Sequence, residues 1–412
     1  MKTRAIFGVL AVTASTALPG SATAQYFPTD AELTDILRTR VEEGRGVGIV
    51  LGVREADGST RVVSYGSAGP DARPLSERTV FEIGSITKVF TGILLAAMAA
   101  RGELSLDDPV ADYLPDEVSV PSRGREITLL DLSVQHSGLP RMPSNFAPAD
   151  MMNPYVDYTV EQMYAFLSGY ELTRDVGAEF EYSNLGVGLL GHVLSFASGR
   201  SYEELVRERI LGPLGMDMTG ITLDVGMREW LAQGHDTGLD PVPLWDLATL
   251  AGAGALRSNL LDMLTFLEAN LGAPTSDLER AMRTSHEVRE EAGPGMGIGL
   301  NWLTRITDDQ RILWHNGGTG GFRAFIGFDP DAQVGVVILN NSEHSADDIG
   351  LHLLDPEVPI PPGPTPVAQR EEIDVPVDII ERYVGVYELA PTFAITVTVE
   401  NGALFIQATA QP

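Results

Sequence analysis

Along this chain the spacing of apolar positions changes twice. Near the start, "DAELTDILRTRVEEG" (30–44) repeats them at helical intervals and predicts an amphipathic helix, while "VGIVLGVREADGSTRVVSYGSA" (47–68) predicts two strands around an Asp-Gly turn. Between about 85 and 290 the pattern is mostly helical, in "SITKVFTGILLAAMAARG", "TVEQMYAFLSG", "NLGVGLLGHVLSFASG", "SYEELVRERILGPLG" and "SNLLDMLTFLEANLG". Toward the far end "RILWHNGG", "FRAFIGFDPDAQ" and "VGVVILNN" (311–341) return to strand-like runs, the last two joined at Asp329-Pro330-Asp331. Strands from both ends then have to meet in one sheet, with the helical middle inserted as its own lobe. That is an α+β body whose lobes leave a cleft between them, the usual place for a small-molecule site.

The two ends of the chain read differently. "MKTRAIFGVLAVTASTALPGSATAQ" has cations at Lys2 and Arg4, an apolar stretch to about Leu18 and the small-residue ending Ala22-Thr23-Ala24, the pattern of a secretory signal peptide cut after Ala24. The apolar run is interrupted by Thr13, Ser15 and Thr16 and falls short of the roughly 20 residues a membrane span needs. The expected organisation is a signal peptide at 1–24, a main domain at 25–355, a stiff proline-rich linker "PEVPIPPGPTP" at 356–366 and a short β segment at 367–412. In that last segment "FAITVTVE", Asn401-Gly402 and "ALFIQATA" predict a hairpin. A cysteine-free stretch of that size is small for an independent β domain, which favours a fragment of a larger one over a segment packed on the main body.

Charge narrows the function classes. With 57 acidic against 28 basic residues the chain carries −29, so neither nucleic acid nor an anionic membrane surface is an expected partner. There are no cysteines, so an exported chain, periplasmic or extracellular, must rest on an ordinary core, and cysteine catalysis and thiolate metal sites are excluded. His286-Glu287 has no second histidine four places on, and the glycines of "GPGMGIG" (293–299) precede no helical pattern, so neither a zinc site nor a nucleotide loop is indicated.

Lysine usage points to the chemistry. After Lys2 the chain has a single lysine, Lys88, three places past Ser85, and uses arginine everywhere else. On a helix that starts near Ser85 the two side chains share a face. Serine is a poor nucleophile until a neighbour takes its proton. Lysine, with an ordinary pKa of ~10.4, can do so near neutrality only if burial or positive potential lowers that value. Arginine does not release its proton in proteins, so it could not substitute. A helix cap at Ser85 with an edge lysine remains the plain structural alternative, and arginine would serve that equally well.

Two further stretches add to this. "FEYSNLGVG" places Tyr182 two residues before Asn184; a phenol beside a cationic lysine has its pKa lowered and relays a proton, and an amide orients both lysine and substrate. "WHNGGTGGF" (314–322) offers glycines that let a substrate lie against a strand edge and backbone N–H groups for a developing oxyanion, with His315 as a polar or cationic head above that edge.

Ser85-Ile86-Thr87-Lys88, Tyr182-Ser183-Asn184 and His315-Asn316-Gly317, in this order, resemble the motifs of the serine β-lactamase and penicillin-binding protein superfamily, nearest its class C β-lactamase and D-alanyl-D-alanine carboxypeptidase branch. Similar context at 129–143, 181–216 and 315–330 extends the resemblance over roughly 30–350. It implies an antiparallel sheet flanked by helices and an acyl-enzyme on Ser85, with Lys88 and Tyr182 moving protons. It also implies an oxyanion hole from the N–H groups of Ser85 and Gly318, substrate binding by Asn184, His315, Gly317 and Gly318, and no need of a metal or organic cofactor. The substrates it implies are β-lactams or peptidoglycan-like D-Ala-D-Ala amides. Departures bear on substrate choice: His315 stands where class C enzymes carry lysine, Gly318 where many relatives carry Ser or Thr, and Met142 near a common glutamine, while Arg323 could restore some positive charge. Those departures keep open a carboxylesterase for short acyl esters and a penicillin-binding module that does not turn over.

Overall fold

The computed structural model of the 412-residue chain describes residues 25–363, 375–390, 393–400 and 403–408. The expected signal peptide at 1–24 and the turn residues Asn401-Gly402 lie outside them. The chain divides into two units, with the boundary between Gly363 and Pro364.

In the first unit, helix α1 (Asp30–Glu42) opens with a capping box, Thr29 and Glu32 each accepting from the other's backbone N–H. Eight strands form one sheet: β1 (Gly48–Arg54), β2 (Thr60–Gly66), β3 (Glu290–Gly293), β4 (Met296–Ile298), β5 (Leu303–Ile306), β6 (Arg311–Gly318), β7 (Arg323–Asp329) and β8 (Val334–Asn340). Their order across the sheet is β2-β1-β8-β7-β6-β5-β4-β3, every pair antiparallel. The two ends of the chain meet where Leu51 stands opposite Ile338. The turn at Asp57-Gly58 joins β1 to β2, as the sequence predicts.

The sheet is covered on both faces, which is why its central strands read as unbroken apolar runs. Ile49, Leu51 and Val53 pack with Leu33 and Leu37 of α1 on one face. Val50, Val337 and Leu339 join the larger core on the other. Every residue of β1 and β8 is buried.

Four further helices fix the site. They are α2 (Thr87–Ala100), α3 (Asn184–Ser198), α4 (Leu260–Leu271) and α5 (Asp347–Leu354). Residues Thr87 to Met98 of α2 are all buried, so this helix runs through the core and delivers its N-terminus to the lobe boundary. Gly92 permits that path, because a Cβ there would stand 2.1 Å from the Leu300 carbonyl oxygen. Phe90 stacks on Phe266 of α4, ring centroids 4.2 Å apart, and ties the helix to the helical lobe. Helix α4 packs closely on the sheet: a Cβ at Gly52 would stand 3.0 Å from the Leu264 methyls and 3.2 Å from one of Leu260.

The stretch 356–363 contains no helix or strand, and its Ile360 packs against the α1 side of the core. The rest of the proline-rich stretch is outside the described residues. In the second unit Phe393–Glu400 and Ala403–Ala408 pair antiparallel, as the hairpin pattern predicts, and Gly385–Ala390 adds a third strand that the sequence reading did not foresee. Among the described residues no helix is long and apolar enough to cross a membrane.

Phe90→Ala should lower stability by about 3–5 kcal/mol, because the stacked partner cannot collapse into the space left. Phe196→Ala, at a residue 56 % exposed, should stay within about 0.5 kcal/mol. Denaturant unfolding of the two variants measures the contrast.

Candidate active site

Ser85 sits in a tight 3-10 turn, Gly84–Ile86, immediately before α2. Backbone pairing holds the segment that leads into that turn: Val80–Glu82 pairs with Arg257–Asn259, and the Ile83 N–H donates to the Leu256 carbonyl at 3.1 Å. The turn backs directly onto β6. A Cβ at Gly317 would stand 1.9 Å from the Ile83 carbonyl oxygen, and one at Gly84, whose φ is +48°, 2.6 Å from the Gly318 nitrogen. Glycine at these two positions lets the backbone of Ser85 approach the backbone of Gly318, the close approach an oxyanion-binding pair requires.

Lys88 lies one turn further into α2, fully buried. Its Nζ is 2.9 Å from Ser85 Oγ, 2.8 Å from Asn184 Oδ1 and 2.7 Å from the Ala253 carbonyl oxygen. No described carboxylate pairs with it. Burial, with a smaller contribution from the charge of Arg141, holds its pKa well below the ordinary lysine value. A neutral amine has two donors and one lone pair. The amide and carbonyl oxygens can only accept, so they take the two donors and the lone pair is left facing the Ser85 hydroxyl.

Tyr182 comes from the loop before α3, half-buried, within hydrogen-bonding reach of Ser85. Lys88 Nζ is 4.9 Å from its ring centroid. The sequence reading has a cationic lysine lowering this phenol's pKa. Here the lysine is held neutral and burial dominates, so the phenol is pushed up to about 12 despite the Ser85 bond and the charge of Arg141. Tyr182 is therefore a protonated acid across the physiological range. Asn184, the first residue of α3, accepts from Lys88 and points its Nδ2 toward the Tyr155 hydroxyl, 3.4 Å away.

His315 on β6 is buried, with its ring centroid 6.2 Å from that of Tyr182, and lies behind that residue instead of on the cavity wall. Its Nδ1 is 2.6 Å from the Asn316 carbonyl oxygen. Burial and the nearby Lys88 push its pKa down to about 3, so it is neutral and supplies no positive head for a substrate carboxylate. Asn316, Gly317 and Gly318 do line the cavity, of about 610 Å³, together with Ser85, Tyr182 and Asn184.

Gln135 was not singled out in the sequence. It holds a left-handed backbone, φ +62°, and brackets Tyr182 from both sides: its carbonyl accepts from the Glu181 N–H at 2.9 Å and its Oε1 from the Ser183 N–H at 2.7 Å. A non-glycine residue kept in that conformation next to a reactive loop marks a place where the surroundings fix the backbone against local preference. Ser183 completes the bracket by capping α3 at Gly186 and donating to the Pro140 carbonyl. Its only trace in the sequence reading is its place inside the 129–143 stretch.

A family model described as Beta-lactamase matches residues 33–356. A beta-lactamase of Pseudomonas fluorescens is 27% identical over 324 residues, 70% of this chain and 87% of that protein. The D-alanyl-D-alanine-carboxypeptidase/endopeptidase AmpH of Escherichia coli K12 is 30% identical over 304 residues, 69% of this chain and 77% of its own length. Among solved structures, a class C beta lactamase from Rhodobacter sphaeroides superposes with a TM-score of 0.69 at 27% identity, over 80% of this chain and 99% of that one. With the three motifs gathered around one cavity and a match across most of its length, this chain belongs to the beta-lactamase family, as a serine hydrolase of the beta-lactamase type.

Proposed function

We propose that the protein hydrolyses β-lactam or D-Ala-D-Ala-like amides through an acyl-enzyme on Ser85. The observation that carries this reading is a buried, acid-free lysine amine 2.9 Å from a serine hydroxyl. In the first step Ser85 Oγ attacks the carbonyl carbon while its proton passes to the lone pair of Lys88 Nζ. The oxygen of the tetrahedral intermediate takes the negative charge beside the N–H groups of Ser85 and Gly318. The C–N bond then breaks, the Tyr182 phenol gives its proton to the leaving nitrogen, and the Lys88 ammonium restores the phenol. Water attacks the ester in the second half, returning the proton to Ser85 Oγ and releasing the acid. Asn184, tied to Lys88 on one side, presents its amide to the substrate. Gly317 and Gly318 let the substrate lie along the edge of β6, and His315 supports Tyr182 as a neutral ring. No step calls for a metal or an organic cofactor.

The relatives named for β-lactam or D-alanyl-D-alanine chemistry support the substrate class. The N-terminal sequence pattern supports export, and with it a periplasmic or extracellular setting for a peptidoglycan-like substrate. The domain organisation read from the sequence fits this, with the whole of the proposed machinery inside 25–355.

Intact-mass spectrometry with a penicillin tests the nucleophile. The protein should gain one penicilloyl mass and lose it on turnover, and Ser85→Ala should gain none; persistent labelling of that variant would place the nucleophile elsewhere. Lys88→Arg keeps the charge and loses the base, so its acylation rate should fall at least about 100-fold. Activity retained in that variant would contradict the assigned base.

The direction of the pKa shifts sets the pH dependence. Deprotonated Lys88 is the reactive form, so the acylation rate should rise through a single limb centred well below the usual lysine range. Tyr182, held up near 12, should add no falling limb below about pH 10. A stopped-flow pH profile reads both features. A rise that begins only near pH 10 would contradict them.

A further inference from the structure

Two arginines line the cavity over Ser85, and they are in different chemical states. Arg323 is spent: Nη1 donates to the carbonyls of Thr319 at 2.6 Å and Phe322 at 2.9 Å, and Nη2 to Glu343 Oε1 at 3.2 Å. It also occupies the space over Gly318, where a Cβ would stand 2.9 Å from Nη1. Its charge is matched by Glu343, so it cannot stand in for the cation that His315 fails to supply.

Arg141 is placed the other way round. Its backbone carbonyl is committed to the loop, accepting from the N–H groups of Asn184 at 3.0 Å and Leu185 at 3.3 Å. Its guanidinium is exposed on the cavity and makes no hydrogen bond or ion pair with any described residue, although acids outnumber bases 57 to 28 in the chain. The group lies over the Tyr182 ring, 5.1 Å from its centroid, on the residue that reaches Ser85. Stacking on an aromatic face thins the hydration of a guanidinium and leaves its donor edge open.

Part of the remaining wall has the opposite character. Glu343 and Asp347 line it, and Asp347 takes the Nδ2 donor of Asn316 at 2.6 Å. Glu343 is matched by Arg323 and no described cation pairs with Asp347, so that wall has no free cation to give an incoming carboxylate. An anion entering the cavity therefore meets one uncompensated cation.

We propose that Arg141 is the anion-binding, specificity-determining group of this site, taking a substrate carboxylate on its free donor edge beside Tyr182. The inference rests on the acyl-enzyme reading and deepens it: the preferred acyl donors carry a carboxylate. That group could sit on the lactam-fused ring or on the acylamino side chain, and the chemistry of recognition is the same for both.

The experiment measures acylation rate constants by time-resolved intact mass for a simple penicillin, its methyl ester, and a penicillin with an additional carboxylate on its side chain. Rate ratios between substrates cancel any general effect of Arg141 on Lys88 or Tyr182. In Arg141→Ala the preference for a carboxylated substrate over its neutral counterpart should fall about 10- to 100-fold, with Arg141→Lys in between. A fall in the acid-to-ester ratio assigns the ring carboxylate, and a fall in the ratio between the two free acids assigns the side-chain one. Ratios unchanged from the wild-type protein would overturn the proposal while leaving the acyl-enzyme reading in place. A wild-type protein acylated by none of the three would overturn that reading and this one with it.

Discussion

An amine buried without a counter-ion is the constraint on which the rest of this site depends. Keeping an ammonium in that position would cost several kcal/mol, and shedding the proton is the cheaper state. The neutral amine then needs acceptors for two N–H groups, and the fold provides them from two separate parts of the helical lobe, Asn184 at the start of α3 and the Ala253 carbonyl. What remains is a lone pair directed at Ser85. The same contacts that make the burial tolerable therefore make the lysine a base, and no third group is needed to activate it.

Burial explains the other shifted groups with one rule. It disfavours whichever form is charged, so it lowers Lys88 and His315 and raises Tyr182. The result is a neutral base, a neutral imidazole and a protonated phenol around one hydroxyl. Positive charge is kept at the rim, on Arg141, where solvent reaches it. The sheet makes the geometry possible, since β6 brings Gly317 and Gly318 against the Ser85 turn and two glycines remove the side chains that would hold them apart.

Much of this was legible in the sequence because it depends on local pattern or on rarity. The strands at 48–66 and 311–340 were visible in the pattern, and burial on both faces is what made β1 and β8 continuous apolar runs. By contrast β3, β4 and β5 (290–306) were not read as strands, because they are only three or four residues long and β3 is largely exposed. Lys88 stood out because arginine serves every other cationic position past residue 2. Tyr182 and Asn184 stood out by motif order. What was hidden depends on tertiary contact. The neutrality of His315 comes from its place behind Tyr182, which no spacing shows. Gln135 acts through a left-handed backbone and two hydrogen bonds across 46 and 48 residues of chain, and its letter in "SVQHSGLP" carries neither. Arg141 and Arg323 look alike in sequence and differ only in what lies within reach of their guanidinium groups. The third strand of the second unit, Gly385–Ala390, escaped notice because "GVYELA" is too short and too weakly alternating to stand apart from a loop.

The rarity of lysine also makes the central claim directly measurable. With isotope-labelled lysine and the N-terminal segment removed, the protein carries one labelled side chain, so the Cε and Nζ resonances of Lys88 can be followed by NMR across pH without assignment ambiguity. A neutral-amine shift at pH 7, with any titration well below ~10.4, is the result expected of a buried base facing Ser85. An ammonium shift that persists to pH 10 would mean that the lysine is a charged structural partner, and the proton path drawn from Ser85 would be wrong.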